Sequence, residues 1–106
     1  ENNIFFETQK IPSYARSNGH IYFIIVSSKI ERSKLIEFLG KKGIVTSFHY
    51  IPLHSTDFGN ANSEFVGEDK YTTSYSERLL RLPIHGQLSN ADVDYVCSKI
   101  FEFYTR

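Results

Sequence analysis

A helix whose two ends are both written in the sequence lies between two runs of β-formers, and this pattern narrows the fold more than any other feature. Ser28-Lys29-Ile30-Glu31 reads as a capping box, the serine side chain and the glutamate three residues on satisfying each other's backbone donors. Leu35, Ile36 and Leu39 then share one helical face. Lys41 and Lys42 complement the negative helix end, and Gly43 can adopt the left-handed conformation that closes it. Upstream, Tyr22-Phe23-Ile24-Ile25-Val26 is a continuous apolar run of the kind buried on both faces of a sheet. Downstream, Ile44-Val45-Thr46-Ser47-Phe48-His49-Tyr50 is rich in β-branched and aromatic residues and predicts a second strand.

The remaining elements arrange themselves around that unit. Residues 1–19 read as an irregular lead-in, with Ile4-Phe5-Phe6 as a candidate short strand before the loop signals Pro12, Ser13, Ser17, Asn18 and Gly19. Residues 52–72 predict a long connection, a length that in compact domains goes with function or mobility. Thr73 to Leu80 predicts a short helix, and Leu82-Pro83-Ile84 an edge strand or turn, because Pro83 has no N–H to give a ladder. Ser89-Asn90-Ala91-Asp92 caps a final helix. Its Val93, Val96, Cys97, Ile100, Phe101 and Tyr104 recur at helical spacing as a core stripe. The order β-α-β-loop-α-β-α predicts an α+β fold, a small sheet with helices packed on one face. The 106 residues are expected to form one domain, residues 20–106 following the lead-in.

Composition removes several function classes. Twelve basic and twelve acidic side chains are scattered along the chain without a basic block, leaving nucleic-acid or anionic-membrane binding no electrostatic footing. A single cysteine, Cys97, cannot form an internal disulfide and fits a reducing cytosol. The longest apolar run, Ile21 to Val26, is too short to span a bilayer, and Glu1-Asn2-Asn3 lacks the regions of a signal peptide. The absence of any methionine is what an excised piece of a longer protein would show.

The chemistry-bearing residues cluster in Ser47-Phe48-His49-Tyr50-Ile51-Pro52-Leu53-His54. Two imidazoles and a phenol at a strand exit can hold phosphates, sugar hydroxyls or a proton in transit. A structural reading stands beside this one: His49 and Tyr50 point to opposite faces of a strand, so one of them packs inward. His20 and His85 read as surface or capping residues. Four histidines in strands and loops with one cysteine lack zinc-ligand spacing. Cys97 sits on the apolar stripe as a small hydrophobe rather than a nucleophile. Arg78 and Arg81 straddle Leu79-Leu80; guanidinium forks suit phosphate, but Arg78 is expected to pair with an acidic neighbour.

Three motifs in order, Ser47 to His54, Gly67-Glu68-Asp69-Lys70-Tyr71, and Ser76-Glu77-Arg78-Leu79-Leu80-Arg81-Leu82-Pro83, resemble the C-terminal part of the PLP-dependent DegT/DnrJ/EryC1/StrS sugar aminotransferases. The similarity runs from about Ser17 to Tyr104, and within the family is greatest to the branch that aminates TDP-4-keto-6-deoxyglucose to TDP-4-amino-4,6-dideoxygalactose for surface polysaccharides. The resemblance implies the small C-terminal domain of a cytoplasmic, homodimeric enzyme with glutamate as amino donor. The Schiff-base lysine and the PLP site would lie in a large N-terminal domain absent from this chain. Ser47-Phe48-His49 echoes the Ser-Phe-His that precedes that lysine, but Tyr50-Ile51-Pro52 follows and no lysine arrives. The resemblance places His49, Tyr50 and His54 at the pocket's rim as sugar or pyrophosphate contacts, and Arg81 joins them as a substrate-binding candidate through its guanidinium, with no catalytic residue and no metal expected in this chain, which alone would be inactive. The residues by themselves leave two other readings open, a stand-alone module binding a small ligand and a structural interface domain.

Overall fold

The computed structural model describes residues 5–106, so Ile4 of the expected Ile4-Phe5-Phe6 strand lies outside the described residues. The first strand begins at Glu7, directly after Phe6. In chain order the elements are β1 (Glu7–Thr8), β2 (Phe23–Ile25), α1 (Lys29–Lys41), a 3-10 turn at Leu53–Ser55, α2 (Asp57–Asn62), α3 (Thr72–Arg78), β3 (Leu79–Arg81) and α4 (Asn90–Thr105). The three strands form an antiparallel sheet in the order β1-β2-β3, with Ile24 opposite both Thr8 and Leu80. Helices pack on one face of it, as the pattern predicts.

The apolar periodicities decide where the core lies. Ile24, Val26 and Leu80 from the sheet region meet Leu35 and Leu39 of α1 and Ile100 and Phe103 of α4, with Ile44 completing the cluster. Phe38 closes its rim edge-on to Phe103 at 5.5 Å. Helix α1 ends as its sequence indicates, with Lys42 at the C-cap and Gly43 at φ 78°. Its start differs in one respect. The Ser28 side chain accepts the Glu31 N–H at 3.1 Å, but the Glu31 carboxylate accepts from the hydroxyls of Ser27 and Tyr104, the latter at 2.5 Å. Half of the capping box is thus exchanged for a tie between α1 and α4. Burial, reinforced by Glu31, pushes the Tyr104 phenol well above its ordinary pKa. The complete capping box belongs to α4, where Ser89 and Asp92 satisfy each other reciprocally.

Four expectations are corrected. Residues 44–50 make no continuous strand; Ser47 alone bridges β3, exchanging backbone hydrogen bonds with Arg81 at 2.7 and 3.4 Å. The reason is the partner: β3 is three residues long and Pro83 follows it, so little ladder exists to pair with. Leu79 and Leu80 leave the expected helix for that strand, and Leu82-Pro83-Ile84 falls outside it, because pairing with β2 outweighs helical propensity. The connection 52–72 is partly structured, and Gly59 explains its compactness: a Cβ there would meet the Leu53 carbonyl oxygen at 1.8 Å. The stripe of α4 is rotated. Ile100 and Phe103 are buried, Val96 and Tyr104 half-buried, and Val93, Cys97 and Phe101 are exposed. Phe103, which packs against Phe38, takes the place expected for Phe101.

Candidate functional site

Beyond the Ser47 bridge, the segment 48–55 lines two grooves with α3, one of which also takes in the start of α1. His49 is half-buried, its ring 5.1 Å from that of Tyr50 across a cis peptide bond. Its Nδ1 is buried without a hydrogen-bond partner among the described residues. Burial pulls the imidazole below its ordinary pKa and the Arg81 charge adds to this, so the neutral ring is the form held at pH 7. Tyr50 instead faces outward, 73% exposed, and borders two grooves. One of these also holds His49, Pro52, Thr72, Tyr75 and Ser76.

His54 is engaged elsewhere. Its Nε2 lies 2.9 Å from the Asp69 carboxylate and 3.4 Å from the Thr73 hydroxyl, and its ring packs on Phe65 at 4.3 Å. Asp69 in turn accepts the Thr73 N–H at 3.1 Å and the Thr73 hydroxyl. Those two bonds, with His54 behind them, hold the Asp69 carboxyl below the usual carboxylate range. The result is a polar clasp that joins the two ends of the 54–73 connection. His54 and Arg81 line neither groove bordered by Tyr50. The structure thus brings His49 and Tyr50 together, ties Arg81 to the segment through its backbone bridge to Ser47, and sets His54 apart in the clasp.

Arg78 takes a different partner from the acid expected of it. Its Nη1 donates to the Val26 carbonyl at 3.4 Å, its Nε to Ser74 at 3.3 Å, and the guanidinium lies 5.0 Å from the Tyr75 ring centroid. No group of three His, Cys, Asp or Glu among the described residues could hold a metal ion. Lys29, which borders one groove beside Tyr50, is exposed and pairs with Glu77 at 3.5 Å.

One residue of this region escapes the sequence argument. Arg32, in the first turns of α1, is only 5% exposed. Its guanidinium lies 4.0 Å over the Phe48 ring, and Nη1 donates to the Ser76 carbonyl at 2.5 Å. Burial lowers its pKa, opposed by nearby Glu77. The signal was present, for Arg32 stands at i−3 and i−7 from Leu35 and Leu39, a charge on the buried face of the helix.

The profile of the DegT/DnrJ/EryC1/StrS aminotransferase family matches residues 1–101. The chain belongs to this family. A UDP-4-amino-4,6-dideoxy-N-acetyl-β-L-altrosamine transaminase of Campylobacter jejuni is 28% identical over 105 residues, 95% of this chain and 27% of that protein. The crystal structure of a family aminotransferase from Brucella abortus superposes with a TM-score of 0.83 at 28% identity, over 96% of this chain and 27% of that one. The PLP form of a Streptococcus pneumoniae protein assigned as a sugar aminotransferase superposes at 0.79 with 26% identity, over 92% and 26%. The chain therefore spans about a quarter of the length of these relatives.

Proposed function

We propose that this chain is the small domain, residues 20–106 after a lead-in of 1–19, of a longer PLP-dependent aminotransferase that moves an amino group from glutamate to a nucleotide-linked 4-keto-6-deoxy sugar. The observation that carries the reading is the family match along residues 1–101 in a chain a quarter the length of its relatives. PLP supplies the electron sink for the proton removal and return in such a reaction, and on this reading it belongs to a large domain outside these residues. The chain alone is inactive on this reading. Its parent is a cytoplasmic homodimer serving surface-polysaccharide synthesis; among the described residues no helix is long and apolar enough to cross a membrane.

The work of this domain is positioning. His49, Tyr50, His54 and Arg81 are assigned to the nucleotide sugar. Support for this assignment is uneven along the set. Tyr50 is exposed and lines two grooves, His49 lies beside it with its imidazole pKa lowered by burial and by the Arg81 charge, and His54 ties its own loop to Asp69. The motifs of the chain favour a thymidine diphosphate sugar, whereas the Campylobacter relative is named for a uridine diphosphate sugar. Steady-state kinetics of the full-length protein with both sugars tests the assignment. His49→Ala and His54→Ala should each raise KM for the nucleotide sugar, and unchanged kinetics in both would remove these residues from the site. Reading the gene upstream of Glu1 tests the rest: a preceding domain with a Ser-Phe-His-x-x-Lys stretch is expected, and a start codon directly before Glu1 would overturn the proposal.

A further inference from the structure

We propose that Asn18-Gly19 is a spontaneous modification site, at which the Asn18 carboxamide cyclises onto the Gly19 nitrogen and reopens as an isoaspartyl linkage. The site is independent of the aminotransferase reading. Asparagine is among the chemically labile residues, and the peptide nitrogen that follows it sets how labile it is. A glycine nitrogen is the least hindered nucleophile of this kind, because no side chain flanks it. Both residues are exposed in the connection between β1 and β2, and residues 16–21 make no backbone–backbone hydrogen bond among the described residues. The peptide is therefore free to bend toward the Asn18 side chain.

Two hydrogen bonds arm the pair. Asn18 Oδ1 accepts the His20 N–H at 3.1 Å. The ring that this bond closes contains both Asn18 Cγ and the Gly19 nitrogen, so the carboxamide is folded back along the peptide whose nitrogen attacks it. The same N–H faces the oxygen on which negative charge gathers when Cγ becomes tetrahedral, the arrangement that lowers barriers to acyl transfer. On the nucleophile's side, the Gly19 N–H donates to Ser17 Oγ at 3.1 Å, which draws the proton away from the nitrogen. Gly19 lies at φ 65°, a conformation that disfavours any bulkier residue in its place.

The step needs only water. The Gly19 nitrogen gives up its proton and bonds to Asn18 Cγ; the bond from Cγ to Nδ2 breaks, and Nδ2 leaves as ammonia with that proton. Water then opens the cyclic imide at either carbonyl, to an aspartyl or an isoaspartyl residue, and nothing is oxidised or reduced. The product places a carboxylate between Arg16 and His20, in a stretch, residues 8–30, without a single acidic side chain. The other asparagines lack the arrangement. Asn60 and Asn62 lie in α2 and Asn90 opens α4. The nitrogen after Asn62 donates to the Gly59 carbonyl at 2.9 Å, and the Asn62 carboxamide to that of Phe58. Asn2 and Asn3 precede Asn and Ile, whose side chains hinder attack.

The test is a timed incubation of the 106-residue chain in neutral buffer, folded and in urea, followed by peptide mapping with fragmentation that separates aspartyl from isoaspartyl linkages. Asn18 should convert to a mixture of both, no more slowly in the folded chain than in the unfolded one, while Asn60, Asn62 and Asn90 of the folded chain stay intact. Asn18→Gln should abolish the conversion. Ser17→Ala, which removes the acceptor, and His20→Pro, which removes the donor, should each slow it severalfold; both lie in the exposed connection, away from the core. Four results would overturn the site: an intact Asn18, conversion as fast at Asn60 or Asn90, an aspartyl product without isoaspartyl, or slower conversion in the folded chain than in urea. Unchanged rates in both Ser17→Ala and His20→Pro would overturn the hydrogen-bonded arrangement as its cause.

Discussion

The core around α1 and the segment from Phe48 to Tyr75 are built on opposite principles. In the first, local signals and burial agree. Leu35 and Leu39 lie on the predicted helical face and are fully buried, and the helix carries its own caps. In the second, large apolar side chains face outward, among them Tyr50 and Phe58 at 73% and Val66 at 88% exposure. What holds that segment is polar and local to a few atoms: the His54–Asp69–Thr73 clasp and the approach of Gly59 to the Leu53 carbonyl. Hydrophobic burial therefore stabilises the core, while hydrogen bonds and one tight backbone contact shape the loop layer in which the candidate site lies. A region held this way can open without the core unfolding.

The strongest test of this contrast is Leu39→Ala. Truncation of a fully buried leucine should cost about 2–5 kcal/mol, read as a large fall in the urea midpoint; a loss below about 1 kcal/mol would mean that the core is not where stability resides. Gly59→Ala comes next, and its sign is unusual. Alanine in place of a helical glycine ordinarily stabilises by roughly 0.5–1 kcal/mol, but here the added methyl collides with the Leu53 carbonyl, so a loss of about 1–3 kcal/mol is expected.

Asp69→Asn separates the regions more sharply. Amide exchange across residues 53–73 should quicken while that of α1 stays unchanged; equal quickening in both would merge the two into one cooperative unit. Acid should do the same to the wild type. The folded-state pKa of Asp69 is depressed by the Thr73 bonds and by His54, so the folded state binds fewer protons than the unfolded one. Its contribution is thus complete above the ordinary carboxylate pKa of about 4 and is lost as pH falls through the lower folded value. Protection of residues 53–73 that is flat from pH 6 down to about 2 would contradict the clasp. The smallest effect belongs to Val93→Ser on the exposed side of α4, within about 0.5 kcal/mol of wild type by denaturation.

Much of the core was legible before any coordinates. The α1 boundaries, the Ser89 cap and the burial of Leu35, Leu39 and Ile100 follow from caps and 3.6-residue spacing, which act within one or two turns. The rotation of α4 was not legible, because Val93, Cys97 and Phe101 satisfy the same period as the residues that are buried, and only packing against the rest of the core, with Phe103 on Phe38, selects between the two stripes. In the candidate site, His49, Tyr50 and His54 were visible as residue types at a strand exit, and Arg81 as a guanidinium beside Leu79-Leu80. The pairing of His54 with Asp69, fifteen residues away, was not.

The sequence by itself determined the elements whose causes are local: a capped helix between apolar runs, a second capped helix, a turn-rich connection, and the motifs that place the chain in its family. Tertiary structure alone decided that Ser47 makes a single bridge, that Leu79 and Leu80 pair as strand, and that Arg32 lies buried beside Ser76 with a donor unpaired. Each of these depends on contacts between residues dozens of positions apart, whose free energies exceed the few tenths of a kcal/mol by which local propensities differ.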